Sequence, residues 1–209
     1  MKVAGLVLAG GLSRRMGGGD KSLRILGGRP MIAHVIDRLR PQVEWLALNA
    51  NSDPAPYLGF GLPVLPDTVA GYAGPLAGVL TGMHWAAQET SATHIVTAAT
   101  DTPFFPRDLV NRFQELAGPE RIVLARSGGN RHPVFGLWPL ALRDDLAVWL
   151  ARSDTMKVMA WVGRHDIGYC DFDPERPGAP DPFFNANTPE DLAEAEAYLA
   201  SGASDKGQP

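Results

Sequence analysis

From Val3 to Ala9 the chain is an apolar run of strand length. It breaks at Gly10-Gly11 and enters a loop carrying Arg14, Arg15, the glycines Gly17, Gly18 and Gly19, and Lys21. Glycines let backbone N–H groups converge on one point, which makes a concavity suited to an anion. Arg15 adds a bidentate fork and Lys21 a compact point charge. The stretch therefore predicts a phosphate site. Two familiar phosphate patterns are excluded. No three glycines fall at the dinucleotide spacing G-x-G-x-x-G, and Arg15 and Asp20 stand where the P-loop needs its two glycines, although Lys21-Ser22 matches the P-loop's end. A solvated turn after an edge strand is the competing reading, and three cations among the glycines speak against it.

Other polar residues close apolar runs further on. Asn49 follows Trp45–Leu48, Asp67 follows Leu62–Pro66, and Asp101 follows His94–Ala99. In an open α/β sheet, ligands collect outside the carboxyl ends of the strands, so these residues and the loop are expected on one edge. A carboxylate at the end of a buried strand needs a partner. For Asp101 a Mg²⁺ ion bridging to a triphosphate is such a partner, because Mg²⁺ takes one or two carboxylates together with phosphate oxygens and water; the alternative is a cap on the turn at Thr102-Pro103. A carboxylate such as Asp67 can accept the N1–H and 2-amino hydrogens of guanine, which adenine does not offer. Asp67 and Asn49 also suit turns after their strands.

The elements that must position these residues follow from periodicity. Met31, Ile32, Val35, Ile36 and Leu39 recur at helical spacing between Pro30 and Pro41, and Pro75 opens a helix to about Gln88. Another helix carries Leu109, Val110, Phe113 and Leu116. This alternation of strand and helix predicts a mainly parallel sheet covered by helices on both faces. The second half is less regular: strands at 121–125, 134–138 and 167–172, helices at 139–151 and 154–162, then a Pro-rich turn. Thr188 is placed to cap a last helix to about Leu199, with Pro189 at its first position and Asp191 completing a capping box.

A chain of 209 residues, 45% hydrophobic, suits one core. We expect one domain over 1–200, with a nucleotide half at about 1–103, a second-substrate half at about 104–200, and a disordered tail at 201–209. A formal net charge of −4 speaks against nucleic acid as a partner. No apolar run reaches membrane-span length, and the single cysteine, Cys170, reads as a small buried strand residue in a reducing, cytoplasmic setting.

Leu8-Ala-Gly-Gly11 and Ser13-Arg-Arg-Met-Gly-Gly-Gly-Asp-Lys21 resemble the signature loop of the nucleotidyltransferases that build the molybdenum cofactor, the guanylyltransferase branch most of all. Gly74-Pro-Leu-Ala-Gly78, Asp101-Thr-Pro103, Arg131-His-Pro133 and Phe184–Leu192 extend the likeness in the same order along most of the chain. The resemblance implies a single-domain, Rossmann-like fold of the nucleotide-diphospho-sugar transferase type. It implies transfer of GMP from GTP to the terminal phosphate of molybdenum-bearing molybdopterin with Mg²⁺, releasing pyrophosphate. GTP contacts would come from Leu8, Ala9, Gly10, Gly11, Lys21, Asn49, Asp67 and Asp101, with Asp101 holding the metal. The pterin side would be lined by Arg15, Gly18, Gly78, Asn185 and Asn187. Lys157 stands where an arginine is expected in relatives, keeping the charge without the fork. His132 reads as structural. The pterin phosphate is itself the nucleophile, so Arg15, Lys21 and Asp101 would serve catalysis by offsetting repulsion between two polyanions. Cofactor-inserting proteins or apo-molybdoenzymes are implied as transient partners.

Two rivals lie close by. One is a cytidylyltransferase of the same pathway, from which Asp67 would discriminate. The other is a non-catalytic nucleotide or pterin escort, which would not need both Lys21 and Asp101. Sugar nucleotidyltransferases differ in carrying Gly-x-Gly-Thr-Arg where this chain has Leu-Ser-Arg-Arg.

Overall fold

In a computed structural model of the chain, residues 1–9, 21–69, 74–155, 157–174 and 178–204 are described. The first loop, with Gly10, Gly11, Arg15 and Gly18, lies outside them. The strands are β1 (Val3–Leu8), β2 (Ile25–Leu26), β3 (Arg29–Pro30), β4 (Trp45–Asn49), β5 (Val64–Leu65), β6 (His94–Ala99), β7 (Ile122–Ser127), β8 (Asn130–Pro139) and β9 (Ile167–Asp171). The helices are α1 (Met31–Leu39), α2 (Pro75–Glu89), α3 (Leu109–Leu116), α4 (Arg143–Arg152), α5 (Val158–Val162) and α6 (Pro189–Ser204).

Every residue of β1 is buried, the mark of a strand covered on both faces. It pairs in parallel with β4 on one side and β6 on the other, and the described strands form a seven-stranded sheet in the order β5-β4-β1-β6-β8-β7-β9. Only β8 runs against its neighbours, pairing antiparallel with both β6 and β7. The expected mainly parallel sheet is present. One apolar cluster joins α1 and α3 to one face, through Ile32, Val35, Leu39, Leu109 and Phe113. A second joins α2, α4 and α5 to the other, through Leu76, Leu80, Met83, Leu146 and Trp161.

Register places the strand ends level. Leu8 faces Asn49 on one side and Ala99 on the other, and Asn49 faces Leu65. From β1 the chain crosses outward to β4 and β5, then returns to lay β6 on the other flank of β1. The switch in the strands' direction of travel therefore falls between β1 and β6, the point of an open α/β sheet beside whose carboxyl ends ligands gather.

Several elements differ from their sequence expectation. The third strand is two residues, Val64–Leu65, because Pro63 and Pro66 flank it and proline cannot donate to a ladder. The helix expected from Pro139 begins at Arg143, after a 3₁₀ turn at Leu140–Leu142. Only Val158–Val162 of the helix expected over 154–162 forms. Ser153 and Thr155 instead exchange hydrogen bonds in a local turn, the competition that serine and threonine offer to helix. α6 continues past Leu199 to Ser204, and 205–209 lie outside the described residues. The β2–β3 hairpin has no counterpart in the expectation. Leu26 is buried there against Met31, Phe104, Ala186 and Ala195, and the Gly27 N–H donates to Glu196 of α6 at 2.7 Å.

Candidate active site

The site assembles at the carboxyl ends of β1 and β6. Lys21 enters it on a short 3₁₀ turn, Lys21–Leu23, whose next residue, Ser22, is buried and lies 3.1 Å from the Tyr57 hydroxyl. That anchor fixes where the chain leaves the first loop. The Lys21 ammonium then reaches Asp101 Oδ2 at 2.9 Å, with the lysine side chain 15% exposed and the aspartate 28%. Cation and carboxylate thus face each other beyond the ends of β1 and β6.

A third group joins them. Ala186 N donates to the carbonyl of Asp101 at 2.8 Å, which lays the segment before α6 across the end of β6. On it, Asn187 Oδ1 accepts from the Lys21 ammonium, and Asn185 Oδ1 accepts from the buried Thr102 hydroxyl at 2.7 Å. Asn185 and Asn187 are exposed while Ala186 between them is buried, so the two amides share one side of the segment. The capping box holds its far end: Thr188 N donates to Asp191 Oδ2 at 2.8 Å and Asp191 N to Thr188 Oγ1 at 3.1 Å. Burial works against the Asp191 charge, but bonds from the Asn187 and Thr188 backbone and from the Thr188 side chain hold its carboxyl below the ordinary range.

Beside this centre, Asp67 is oriented by two asparagines. Asn49 Nδ2 donates to one carboxylate oxygen at 2.8 Å and Asn51 Nδ2 to the other at 2.7 Å, while Asp67 N donates to Asn51 Oδ1 at 2.7 Å. Each oxygen keeps lone-pair capacity for a ligand donor. Asn49 is itself buried and gives a second bond to Leu65 O at 3.0 Å. Gly78, in the first turn of α2, lies against it: a Cβ there would meet Asn49 Oδ1 at 2.4 Å and Leu8 Cδ2 at 2.7 Å. Gly82, one turn on, meets Leu6 in the same way, so these two glycines let α2 lie close on β1 and β4.

Of the residues singled out in the sequence, Lys21, Asp101, Asn185 and Asn187 come together, and Asn49, Asp67 and Gly78 form the adjoining group. Leu8 and Ala9 lie buried at the end of β1, with the Leu8 carbonyl bonded by Thr100 and the Ala9 N–H given to Asn49 O. Lys157 is exposed at the start of α5, and none of its described contacts reaches Lys21 or Asp101. His132 packs as a structural residue would, its ring stacked on Phe183 at 4.5 Å and its pKa lowered by burial against the pull of Asp181. Cys170 is buried, and burial pushes its thiol up. The sequence reading passed over Asn51 and Thr102. Their signal was position alone, two residues after Asn49 and one after Asp101.

Asp101, one of whose carboxylate oxygens is held by Lys21, could offer a divalent cation a hard oxygen donor. Among the described residues no group of three or more His, Cys, Asp or Glu side chains could hold a metal, so phosphate oxygens would complete such a shell. No helix among the described residues is long and apolar enough to cross a membrane.

Residues 5–167 match the family model of the MobA-like NTP transferase domain. The chain is 52% identical over 202 residues to a molybdenum cofactor guanylyltransferase of Bradyrhizobium sp. (strain ORS 278), covering 95% of this chain and 93% of that one. It is 50% identical to the protein of the same name from Mesorhizobium japonicum, over 95% and 97% of the two chains. Its fold is similar to that of molybdopterin-guanine dinucleotide biosynthesis protein A from Archaeoglobus fulgidus, with a TM-score of 0.75 at 23% identity over 96% of this chain and 100% of that one. With residues 5–167 matching this domain and relatives about 50% identical over nearly the whole chain, the chain belongs to the molybdenum cofactor guanylyltransferase family of MobA-like NTP transferases.

Proposed function

We propose that the chain transfers GMP from GTP to the terminal phosphate of molybdenum-bearing molybdopterin, forming the guanine dinucleotide cofactor and pyrophosphate. The observation that carries the reading is the Lys21–Asp101 pair beyond the ends of β1 and β6, accompanied by an Asp67 carboxylate aimed by two amides. The acceptor phosphate is already an anion, so no side chain need act as nucleophile. The protein must bring two polyanions together in line and offset their repulsion.

Lys21 supplies a cation at the place where Asp101 supplies the opposite charge. Asp101 would hold Mg²⁺, which when bound neutralises triphosphate charge and favours departure of pyrophosphate. Outside the described residues, Gly10 and Gly11 complete the GTP contacts in this reading, and Arg15 and Gly18 belong to the pterin side, with Arg15 also offsetting the charge of the two substrates. Asp67 reads guanine through its N1–H and 2-amino hydrogens, with Asn49 and Asn51 fixing the plane of the carboxylate. Asn185, Asn187 and Lys157 belong to the pterin side. Gly78, expected there as well, packs against Asn49 and Leu8, so in this reading it borders the base-reading group.

The test is pyrophosphate release from GTP, molybdenum-molybdopterin and Mg²⁺. Asp101→Ala and Lys21→Ala should each lower turnover by on the order of 10² or more, the loss expected for one electrostatic stabiliser. Near-normal turnover in both would remove the mechanism. Tight binding of both substrates by the unmutated protein without pyrophosphate release would favour an escort.

A further inference from the structure

At the other end of the segment that carries Asn185 and Asn187 stands a cluster with no part in the reading above. Ser127, the buried last residue of β7, lies 2.8 Å and 2.6 Å from the two Asp181 oxygens and 2.7 Å from His132 Nε2. A hydroxyl has one proton, and an ionised Asp181 can only accept, so Ser127 donates to Asp181 and accepts from His132 Nε2–H. The same carboxylate takes the Phe183 N–H at 2.7 Å, and Asp181 O takes the Phe184 N–H at 2.9 Å.

Phe183 is the mechanical result. Its backbone is tied to Asp181, and its ring is 2% exposed, stacked on His132 and set edge-on to Phe135 at 4.9 Å and Phe172 at 5.5 Å. Three residues later Ala186 N is bound to Asp101 O. Between and just beyond these two fixed points sit Asn185 and Asn187. An ammonium can only donate, so the Asn187 oxygen is turned to Lys21 and its NH₂ group is what remains to offer a substrate.

We infer that Asp181, acting through Ser127 and Phe183, is a positioning residue for the acceptor substrate, setting the 183–187 segment so that the Asn185 and Asn187 amides meet the pterin phosphate or ring oxygen. The inference rests on the guanylyl-transfer reading for its substrate. The geometry that motivates it is independent of that reading, because the cluster holds only the segment's start and contacts neither Asp67 nor Asn49.

The experiment uses Asp181→Asn and Ser127→Ala in the full chain with two readouts. In steady-state pyrophosphate release, the KM for molybdenum-molybdopterin should rise about 10-fold, the loss expected for a hydrogen bond to a charged group, while the KM for GTP stays within about twofold. In hydrogen exchange followed by mass spectrometry, amides 183–187 should exchange faster than in the unmutated protein, with β1 and β6 unchanged. An unchanged acceptor KM, a parallel rise in both KM values, or unaltered exchange at 183–187 would each overturn the inference. Absence of pyrophosphate release in the unmutated protein would instead count against the transfer reaction, and exchange at 183–187 would still judge the anchor.

Discussion

At the scale of single residues, the candidate site sets the Lys21 ammonium against the Asp101 carboxylate and aims Asp67 with two amides. Asp67 presents two acceptor oxygens, and changing one to an NH₂ replaces an acceptor with a donor where guanine also donates. Asp67→Asn should therefore erode the preference for GTP over CTP and ATP, read as the ratio of kcat/KM values. An unchanged ratio would remove the carboxylate from base reading. Gly78→Ala acts on the same group from behind. Its Cβ, 2.4 Å from Asn49 Oδ1, must displace that amide or lift α2. Overpacking of this kind costs ~1–3 kcal/mol. We expect a lower melting temperature together with a raised KM for GTP, since the moved side chain is the one that holds Asp67. Loss of stability with GTP affinity intact would separate Gly78 from the base site.

At the scale of elements, α6 does more than close the chain. Its first turn is held by the Thr188–Asp191 box, and its body packs Tyr198 edge-on against Phe104 at 4.9 Å. The β2–β3 hairpin lies on the same helix through Leu26 and the Gly27–Glu196 bond. So the helix links the exit of the phosphate loop to the segment carrying Asn187. Thr188→Ala should cost about 1 kcal/mol, the usual loss of a cap, seen in chemical denaturation. The cap also leans on pH. The Asp191 carboxyl is held below its ordinary value in the fold, so its contribution is present above the unfolded carboxylate pKa and disappears as pH falls through the folded one. Denaturation at acid pH should shrink the difference between Thr188→Ala and the unmutated protein.

At the scale of the whole molecule, the opposite end of the sheet carries a different sensitivity. His94, at the start of β6, is 5% exposed, bonded through Nε2 to Gly118 O at 3.1 Å and through Nδ1 to the Thr93 hydroxyl at 2.9 Å. Both nitrogens are satisfied by the neutral ring, and burial lowers its pKa despite the Gly118 bond. A group whose folded pKa is depressed stabilises nothing extra at high pH. Below the unfolded value of about 6.5 the unfolded chain takes up a proton that the fold refuses. Melting temperature should accordingly fall between pH 7.5 and pH 5.5. His84 and His132 are lowered in the same direction, with burial first among the causes, and add to the slope. His94→Gln, which has no proton to gain, should flatten it; an unaltered slope would assign the loss to other groups.

Much of the fold could be read along the chain because its signals are local. The buried strands β1 and β6, the amphipathic run of α1, the proline that opens α2 and the box that opens α6 each depend on residues within a few positions of one another. The strand-end positions of Asn49, Asp67 and Asp101 followed from the same short-range patterns, joined to the rule that parallel strands gather ligands at their carboxyl ends; the first loop, expected to hold phosphate, lies outside the described residues. Where local signals conflict, the structure departs from the pattern: prolines cut β5 to two residues, and the bonds between Ser153 and Thr155 hold Thr155 in a turn ahead of α5.

What the residues by themselves determined is the class of chemistry, since glycines, cations and a strand-end carboxylate suit phosphate transfer wherever the chain folds them together. Only the tertiary structure decided which groups meet. Lys21 and Asn187 are separated by 166 positions and Ser127 and Asp181 by 54, and no local pattern ties either pair. Those contacts depend on strand order and on the return of the 181–188 segment across β6, which the burial of the whole core selects.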